Sequence, residues 1–188
     1  GLYNTIIGGL AGDALTTGAN NVAIGYQALS TEDSYGANVA VGSQALMSLN
    51  AAANGMNTAV GNQAGYSSTT AIENVLIGAA AGYSLTSGSY NIAIGRNAGD
   101  SLTIGSYNIA IGKNALQAED GHGKNVAIGH EALNAQNAGA DAYNVAVGYN
   151  AGVAMSTGVQ NTLIGSLAGD ALTTGQENVA IGYGALST

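Results

Sequence analysis

The chain has 188 residues, of which 30 are Gly, ten are Tyr and none is Pro, Phe, Trp or Cys, so disulfides and thiolate metal sites are excluded. Only 7% of the residues are charged, and the formal net charge of -8 rests on eleven acids against three Lys and Arg, which disfavours a nucleic-acid partner. No apolar run approaches the ~18 residues that would cross a bilayer, so we expect no direct membrane insertion of this segment.

One five-residue word recurs along the whole chain: Asn, then Thr, Val or Ile, then usually Ala, then Ile or Val, then Gly. The word begins at Asn4, Asn21, Asn38, Asn57, Asn74, Asn91, Asn108, Asn125, Asn144, Asn161 and Asn178. The spacing is 17 residues in eight of the ten steps and 19 in the other two. Residues 1–188 are therefore predicted to form a single repeat domain of eleven stacked coils. We number these coils 1 to 11 and count positions within each coil from its Asn, which is position 0.

Positions 1 to 4 predict a very short strand that ends in a turn, because three β-favouring or small apolar residues are closed by Gly. Seventeen residues suit one turn of a β-solenoid with two short strands and two corners. A helix is disfavoured, since Gly at every position 4 would cost about 1 kcal/mol each time and no apolar period of 3.6 persists across a coil. The predicted fold is an all-β, parallel β-solenoid.

Positions 7, 8 and 11 predict how the interior is filled. Position 7 is Ala in all eleven coils, and position 8 is only Gly or Leu. Coils with Gly at position 8 carry Leu or Met at position 11, with Ser68 as the exception, whereas Leu at position 8 pairs with Glu32, Glu119 or Gln136. Each coil is thus predicted to place one large aliphatic group at about one site. Leu46 with Leu49 departs from this rule in a 19-residue coil, whose two extra residues are predicted to loop out.

The asparagines at position 0 predict a structural ladder in which equivalent amides hydrogen-bond along the stack at the ~4.8 Å strand spacing. A ligand-binding array is the alternative. Positions 1 to 3 are nearly all apolar, so both faces of each strand should be covered. A single coil cannot cover both faces, which predicts several parallel copies around a common axis.

The words at residues 21–25, 125–129 and 178–182 read Asn-Val-Ala-Ile-Gly, and those at 91–95 and 108–112 read Asn-Ile-Ala-Ile-Gly. They resemble the head repeats of YadA-type trimeric autotransporter adhesins, and residues 178–186 also resemble repeats of bacterial and phage tail-fibre proteins. The resemblance implies a left-handed, homotrimeric β-roll on a cell surface or virion. The solenoid ends lack a polar capping element, so this chain is also expected to be a fragment of a longer shaft. A bacterial adhesin and a phage tail-fibre shaft both stay open.

Two surface patterns are candidates for contact with a host-cell surface or a glycan. Position 5 reads Arg96, Lys113 and His130 in three successive coils, a short basic stripe that suits an anionic glycan. The alternative is an exposed position that tolerates any residue. Tyr90 and Tyr107 directly precede their Asn and could stack on sugars or pack against neighbouring coils or chains.

The sequence contains no recognisable catalytic constellation, and we expect no enzyme activity, cofactor or metal. The run from Glu119 to Lys124 could chelate a metal, but it is interpreted as a polar turn in solvent. An ice-binding solenoid, suggested by Thr16-Thr17 and Thr173-Thr174, would need a Thr rank in every coil, which is not present. A polysaccharide-degrading β-helix would need a cluster of acids in a groove, and none is evident.

Overall fold

The computed structural model describes residues 1–187, and these form a parallel β-solenoid without helices. Its eleven strands are β1 Thr5–Ile7, β2 Val22–Ile24, β3 Val39–Val41, β4 Thr58–Val60, β5 Val75–Ile77, β6 Ile92–Ile94, β7 Ile109–Ile111, β8 Val126–Ile128, β9 Val145–Val147, β10 Thr162–Ile164 and β11 Val179–Ile181. Every strand occupies positions 1 to 3 of its coil. The strands that the repeated word predicts are therefore confirmed.

The strands form one sheet in chain order, and each pairs in parallel with its neighbours. Equivalent positions face each other, as in the pairing of Ile92 with Ile109 and of Ile94 with Ile111. The register is kept across the 19-residue coils, where Val39 pairs with Thr58. The solenoid fold predicted from the spacing is thus confirmed.

The second strand expected in each coil is not formed within residues 1–187. Left-handed residues interrupt the rest of the coil, as at Tyr107, Asn114 and Leu116, whose φ angles are 63°, 57° and 50°. Such residues cannot continue an extended run. Neighbouring coils nevertheless remain bonded through their turns, for example from the Gly99 N–H to the Ala115 carbonyl at 2.9 Å. The expectation of two strands per coil was therefore wrong.

Gly at position 4 lies where the backbones of successive coils approach closely. Gly112 has a φ of 132°, and a Cβ built on it would lie 2.2 Å from the carbonyl oxygen of Gly129 in the next coil. Any side chain would collide with backbone there, and L-residues rarely adopt this conformation. These two constraints explain why the word always ends in Gly.

The interior consists mainly of Ala from positions 2 and 7 and of Leu from position 8 or 11. A Cβ on Gly99 at position 8 would lie 2.7 Å from Cδ1 of Leu102 at position 11. The two positions therefore compete for one volume. In coil 7 the volume is filled from position 8 by Leu116, and Glu119 occupies position 11. The exchange between Gly and Leu seen in the sequence is a packing constraint.

Of the two exceptions to this exchange, the one at Ser68 has a local explanation. Next to Ser68, a Cβ on Gly65 would lie 2.7 Å from Cδ1 of Leu76, so a Leu from position 2 of the following coil fills the space. Leu46 and Leu49 are both fully buried in 19-residue coil 3. A third way to supply the aliphatic group, from position 2, was not recognised from the sequence.

The extra residues of the 19-residue coils loop out, as predicted from the spacing. Residues 52–54 and 139–141 are exposed. Each loop also returns a side chain to the preceding coil: Asn54 Oδ1 accepts a hydrogen bond from Gly36 N–H, and Asp141 Oδ1 accepts one from Gly123 N–H, both at 3.2 Å. The insertions therefore supply acceptors for backbone donors of the coil before them.

Candidate functional site

The position-0 asparagines form one continuous row inside the rod. The nine from Asn21 to Asn161 are at most 1% exposed. At all ten steps, the backbone N–H of each Asn donates to Oδ1 of the Asn in the preceding coil, at 2.8 to 3.1 Å. The main bond is thus from backbone to side chain rather than between two amides.

The Nδ2 group of each amide also donates hydrogen bonds within the stack. In eight coils Nδ2 donates to the carbonyl at position 14, as from Asn91 to Gly105 at 2.9 Å. Direct bonds between amides occur as well, for example from Asn74 Nδ2 to Asn57 Oδ1 at 3.1 Å. Because the row is buried and hydrogen-bonded at both ends of the amide, its geometry supports a structural role.

The outward face of the sheet is a continuous apolar surface along the rod. Position 2 points inward, and ten of its eleven residues are buried. Positions 1 and 3 point outward, and their 22 side chains are only Thr, Val and Ile. None of these 22 residues is buried in the isolated chain. The larger aliphatic side chains of the strands therefore lie outside the coil, and mainly the small Ala side chains lie inside.

Tyrosines occupy exposed sites directly before the Asn that precedes a strand. Tyr90 and Tyr107 are 42% and 58% exposed, and their rings stack with centroids 5.0 Å apart and planes 9° apart. All eleven residues that precede the Asn have φ between 49° and 65°. Bulky residues are uncommon in this left-handed conformation. The two rings form a pair that spans adjacent coils.

The predicted basic stripe is on the surface at position 5. Arg96 and Lys113 are exposed, and His130 is partly exposed. The His130 ring stacks on Tyr149 of the next coil at 5.3 Å, and its Nε2 lies 3.9 Å from Glu131 Oε1. Among the residues that the structure describes, neither Arg96 nor Lys113 forms an ion pair. These two cations are therefore available to a partner.

Lys124, by contrast, is held by its neighbours. Its Nζ donates to Asp141 Oδ2 at 2.6 Å and to the Tyr143 hydroxyl at 3.1 Å, and it lies 5.1 Å from the Tyr143 ring centroid. The Asp141 carboxylate and the Tyr143 hydroxyl raise the pKa of Lys124, and the lysine in turn lowers the pKa of Asp141. This pair joins the loop of coil 8 to the end of coil 7.

The interpretation of residues 119–124 as a solvated turn was wrong for Glu119. This side chain is fully buried, because position 11 points into the interior even where it carries an acid. Its Oε1 accepts a hydrogen bond from His122 N–H at 3.3 Å, and its Oε2 accepts one from Asn125 Nδ2 at 3.4 Å. Burial raises the pKa of Glu119 to about 7, although the bond from His122 N–H opposes the shift. The missed signal was that Glu119 shares its position with core Leu residues.

No pocket is found in residues 1–187. Within the same residues, no helix could span a membrane. Comparison with protein-family models, curated proteins and solved structures finds no match to this chain.

Proposed function

We propose that this chain is a rigid structural and adhesive segment of a homotrimeric surface fibre, displayed outside the cell or on a virion. The observation that supports the proposal is the outward sheet face: 22 Thr, Val and Ile side chains in eleven consecutive strands, without one charged residue. Continuous apolar surfaces of this kind are typical of interfaces. The likeness of the Asn-to-Gly words to trimeric adhesin heads favours three copies.

The sheet dimensions agree with this role. Eleven strands at the ~4.8 Å strand spacing give a face about 50 Å long. Three parallel copies around an axis would bury that face in a shared interior and leave the turns in solvent. The segment then acts as a shaft or head that presents a binding tip, either in a bacterial adhesin or in a phage tail fibre.

The proposal is tested by measuring mass in solution by light scattering. We expect three times the 18.3 kDa chain mass. Replacing Ile94 and Ile111 with Lys places charges on the outward face and should yield monomers, because ammonium groups cannot be buried there unpaired. Lys at Ala53 and Asn137, which lie on exposed turns, serves as the matched control and should leave the trimer intact. A monodisperse wild-type monomer would contradict the proposal.

The hydroxyl groups favour this role over an ice-binding one. Thr86 Oγ1 donates to the Thr103 carbonyl at 2.9 Å, and Thr103 Oγ1 donates to the Asp120 carbonyl at 2.9 Å. These threonines bond along the stack, as a structural ladder requires. The outward face itself has only three Thr among its 22 side chains.

We also propose that the fibre contacts an anionic glycan through the stripe of Arg96, Lys113 and His130. All five basic side chains of this chain lie between residues 96 and 130, although the net charge is -8. Heparin is a suitable probe, with neutral dextran as the negative control. The double variant Arg96→Gln with Lys113→Gln should abolish salt-sensitive retention on heparin. Lys124→Gln is the control and should retain it, because this lysine is already paired with Asp141. Equal retention of all variants would reject this contact site.

A further inference from the structure

The turn from Glu119 to His122 in coil 7 brings two carboxylates and an imidazole together. One ligand atom from each of Glu119, Asp120 and His122 lies within 4.8 Å of the others. Glu119 Oε1 and His122 Nδ1 are 3.9 Å apart, which is too far for a hydrogen bond. Two ligands of a tetrahedral zinc ion lie about 3.4 Å apart, so a small closure of the turn would accommodate an ion between them.

Among the described residues, polar atoms of His122 and Gln136 are inaccessible to solvent and have no hydrogen-bond partner. Nδ1 of His122 is withdrawn from solvent and unpaired. Gln136 takes the place of Glu119 in the next coil, is fully buried, and has neither Oε1 nor Nε2 paired. Buried polar atoms are normally hydrogen-bonded or bound to a ligand. His122 Nδ1 lies 3.9 Å from the buried carboxyl of Glu119, and Gln136 occupies the equivalent position one coil later, so coils 7 and 8 place polar groups in a mostly aliphatic column.

Within residues 1–187, no Lys or Arg pairs with the carboxyl of Glu119. The residue is fully buried, and burying a carboxylate is costly unless it is paired or binds a metal. Lys124, the nearest lysine in sequence, is paired with Asp141 at 2.6 Å. A bound cation would stabilise the ionised form of this buried carboxyl.

Coil 2 provides an internal comparison, because Glu32 and Asp33 occupy the same positions as Glu119 and Asp120. There Tyr35 stands in the place of His122, and both carboxylate oxygens of Glu32 accept backbone N–H groups, from Tyr35 at 3.1 Å and from Ala51 at 3.3 Å. Glu119 has only one backbone donor. Coil 7 therefore has an imidazole where coil 2 has a tyrosine ring. Its carboxylate also accepts one backbone hydrogen bond instead of two.

We propose that Glu119, Asp120 and His122 bind a divalent transition-metal ion. Carboxylate and imidazole ligands suit zinc, with one coordination position left for water. The site lies in the turns, away from the outward sheet face. It therefore does not depend on the proposed fibre function.

The test is calorimetric titration of zinc chloride into the intact chain after treatment with EDTA and desalting. We expect one ion per chain, with His122→Ala and Asp120→Asn each weakening binding at least tenfold. His130→Ala is the matched control: His130 also lies 3.9 Å from a carboxylate, Glu131, but among the described residues no third metal-binding group lies beside it. This variant should bind zinc as the wild type does.

Cobalt provides a second readout that does not depend on heats. Cobalt bound to the wild-type chain should give the visible absorption bands of a low-symmetry site, and these should be lost in His122→Ala. Circular dichroism and light scattering on the same samples separate loss of the metal site from loss of the fold or of the oligomer. Absence of zinc binding in the wild type, or an equal loss in His130→Ala, would overturn the proposal.

Discussion

Oδ1 of Asn91 accepts a hydrogen bond of 2.9 Å from the backbone N–H of Asn108, the residue one coil and 17 positions later. The same amide donates through Nδ2 to the Gly105 carbonyl at 2.9 Å. One buried side chain thus satisfies a backbone donor and a backbone acceptor that the three-residue strand does not reach. This double role explains why the amide recurs in every coil.

Replacing Asn91 with Ala should destabilise the rod by about 2 to 4 kcal/mol, because the Asn108 N–H and the Gly105 carbonyl would be buried without partners. Asn91→Asp should be worse, since an oxygen would replace the Nδ2 donor that faces Gly105. Urea unfolding followed by circular dichroism measures the loss. Asn137→Ala, at an exposed turn, is the control. Equal stabilities of Asn91→Ala and the control would show that the ladder contributes little.

Replacing Gly112 with Ala should prevent normal stacking of coils 7 and 8. The added Cβ would lie 2.2 Å from the Gly129 carbonyl oxygen at a φ of 132°, so we expect a loss of more than about 3 kcal/mol. Gly139→Ala is the control, because Gly139 has a φ of 70° and nothing within 4 Å of its Cβ position. That change should cost only about 1 kcal/mol. Similar losses in thermal or urea unfolding would exclude close packing as the cause.

The sequence was sufficient for much of this architecture, since a strict spacing and a closing Gly leave few alternatives to a solenoid. It could not indicate which strand face is internal, because positions 1 to 3 are all apolar. The structure places Ala110 inside and leaves Ile109 and Ile111 outside. The burial of Glu119 was likewise missed, since an acid beside Gly and His normally indicates solvent. The signal that was available is that position 11 carries Leu or Met in most other coils.

The exchange between positions 8 and 11 predicts a strong coupling energy. Gly99→Leu alone should destabilise coil 6, because its Cβ would lie 2.7 Å from Leu102 Cδ1. Leu102→Ala alone removes a buried side chain and should cost about 2 to 5 kcal/mol. The double variant moves the Leu from position 11 to position 8, as in Leu116, whose φ of 50° resembles the 55° of Gly99.

The double variant should therefore be more stable than the sum of the single changes by at least about 2 kcal/mol. Unfolding free energies of the four proteins in a double-mutant cycle measure this coupling. Additive losses would mean that the two side chains do not share one volume, and the explanation of the sequence pattern would then fail.

Burial of Glu119 predicts a pH dependence of stability that can be measured in chelator-treated protein. Its pKa is raised from 4.5 to about 7, chiefly by desolvation, with Asp120 and Asp141 adding to the shift. Between these values the unfolded chain releases the proton while the folded chain retains it. The contribution of Glu119 to the unfolding free energy should therefore fall as pH rises from 4.5 to 7, by at most about 1.4 kcal/mol per pH unit.

Glu119→Gln removes this titration and should flatten the profile between pH 4.5 and 7, so that the variant gains stability relative to wild type as pH rises. Glu73→Gln, at an exposed position, is the control and should leave the slope unchanged. The comparison uses urea unfolding at several pH values, with the two glutamine variants measured beside the wild type. Parallel profiles for all three proteins would show that the carboxyl of Glu119 titrates as it does in the unfolded chain, and hence that it is hydrated in the folded rod.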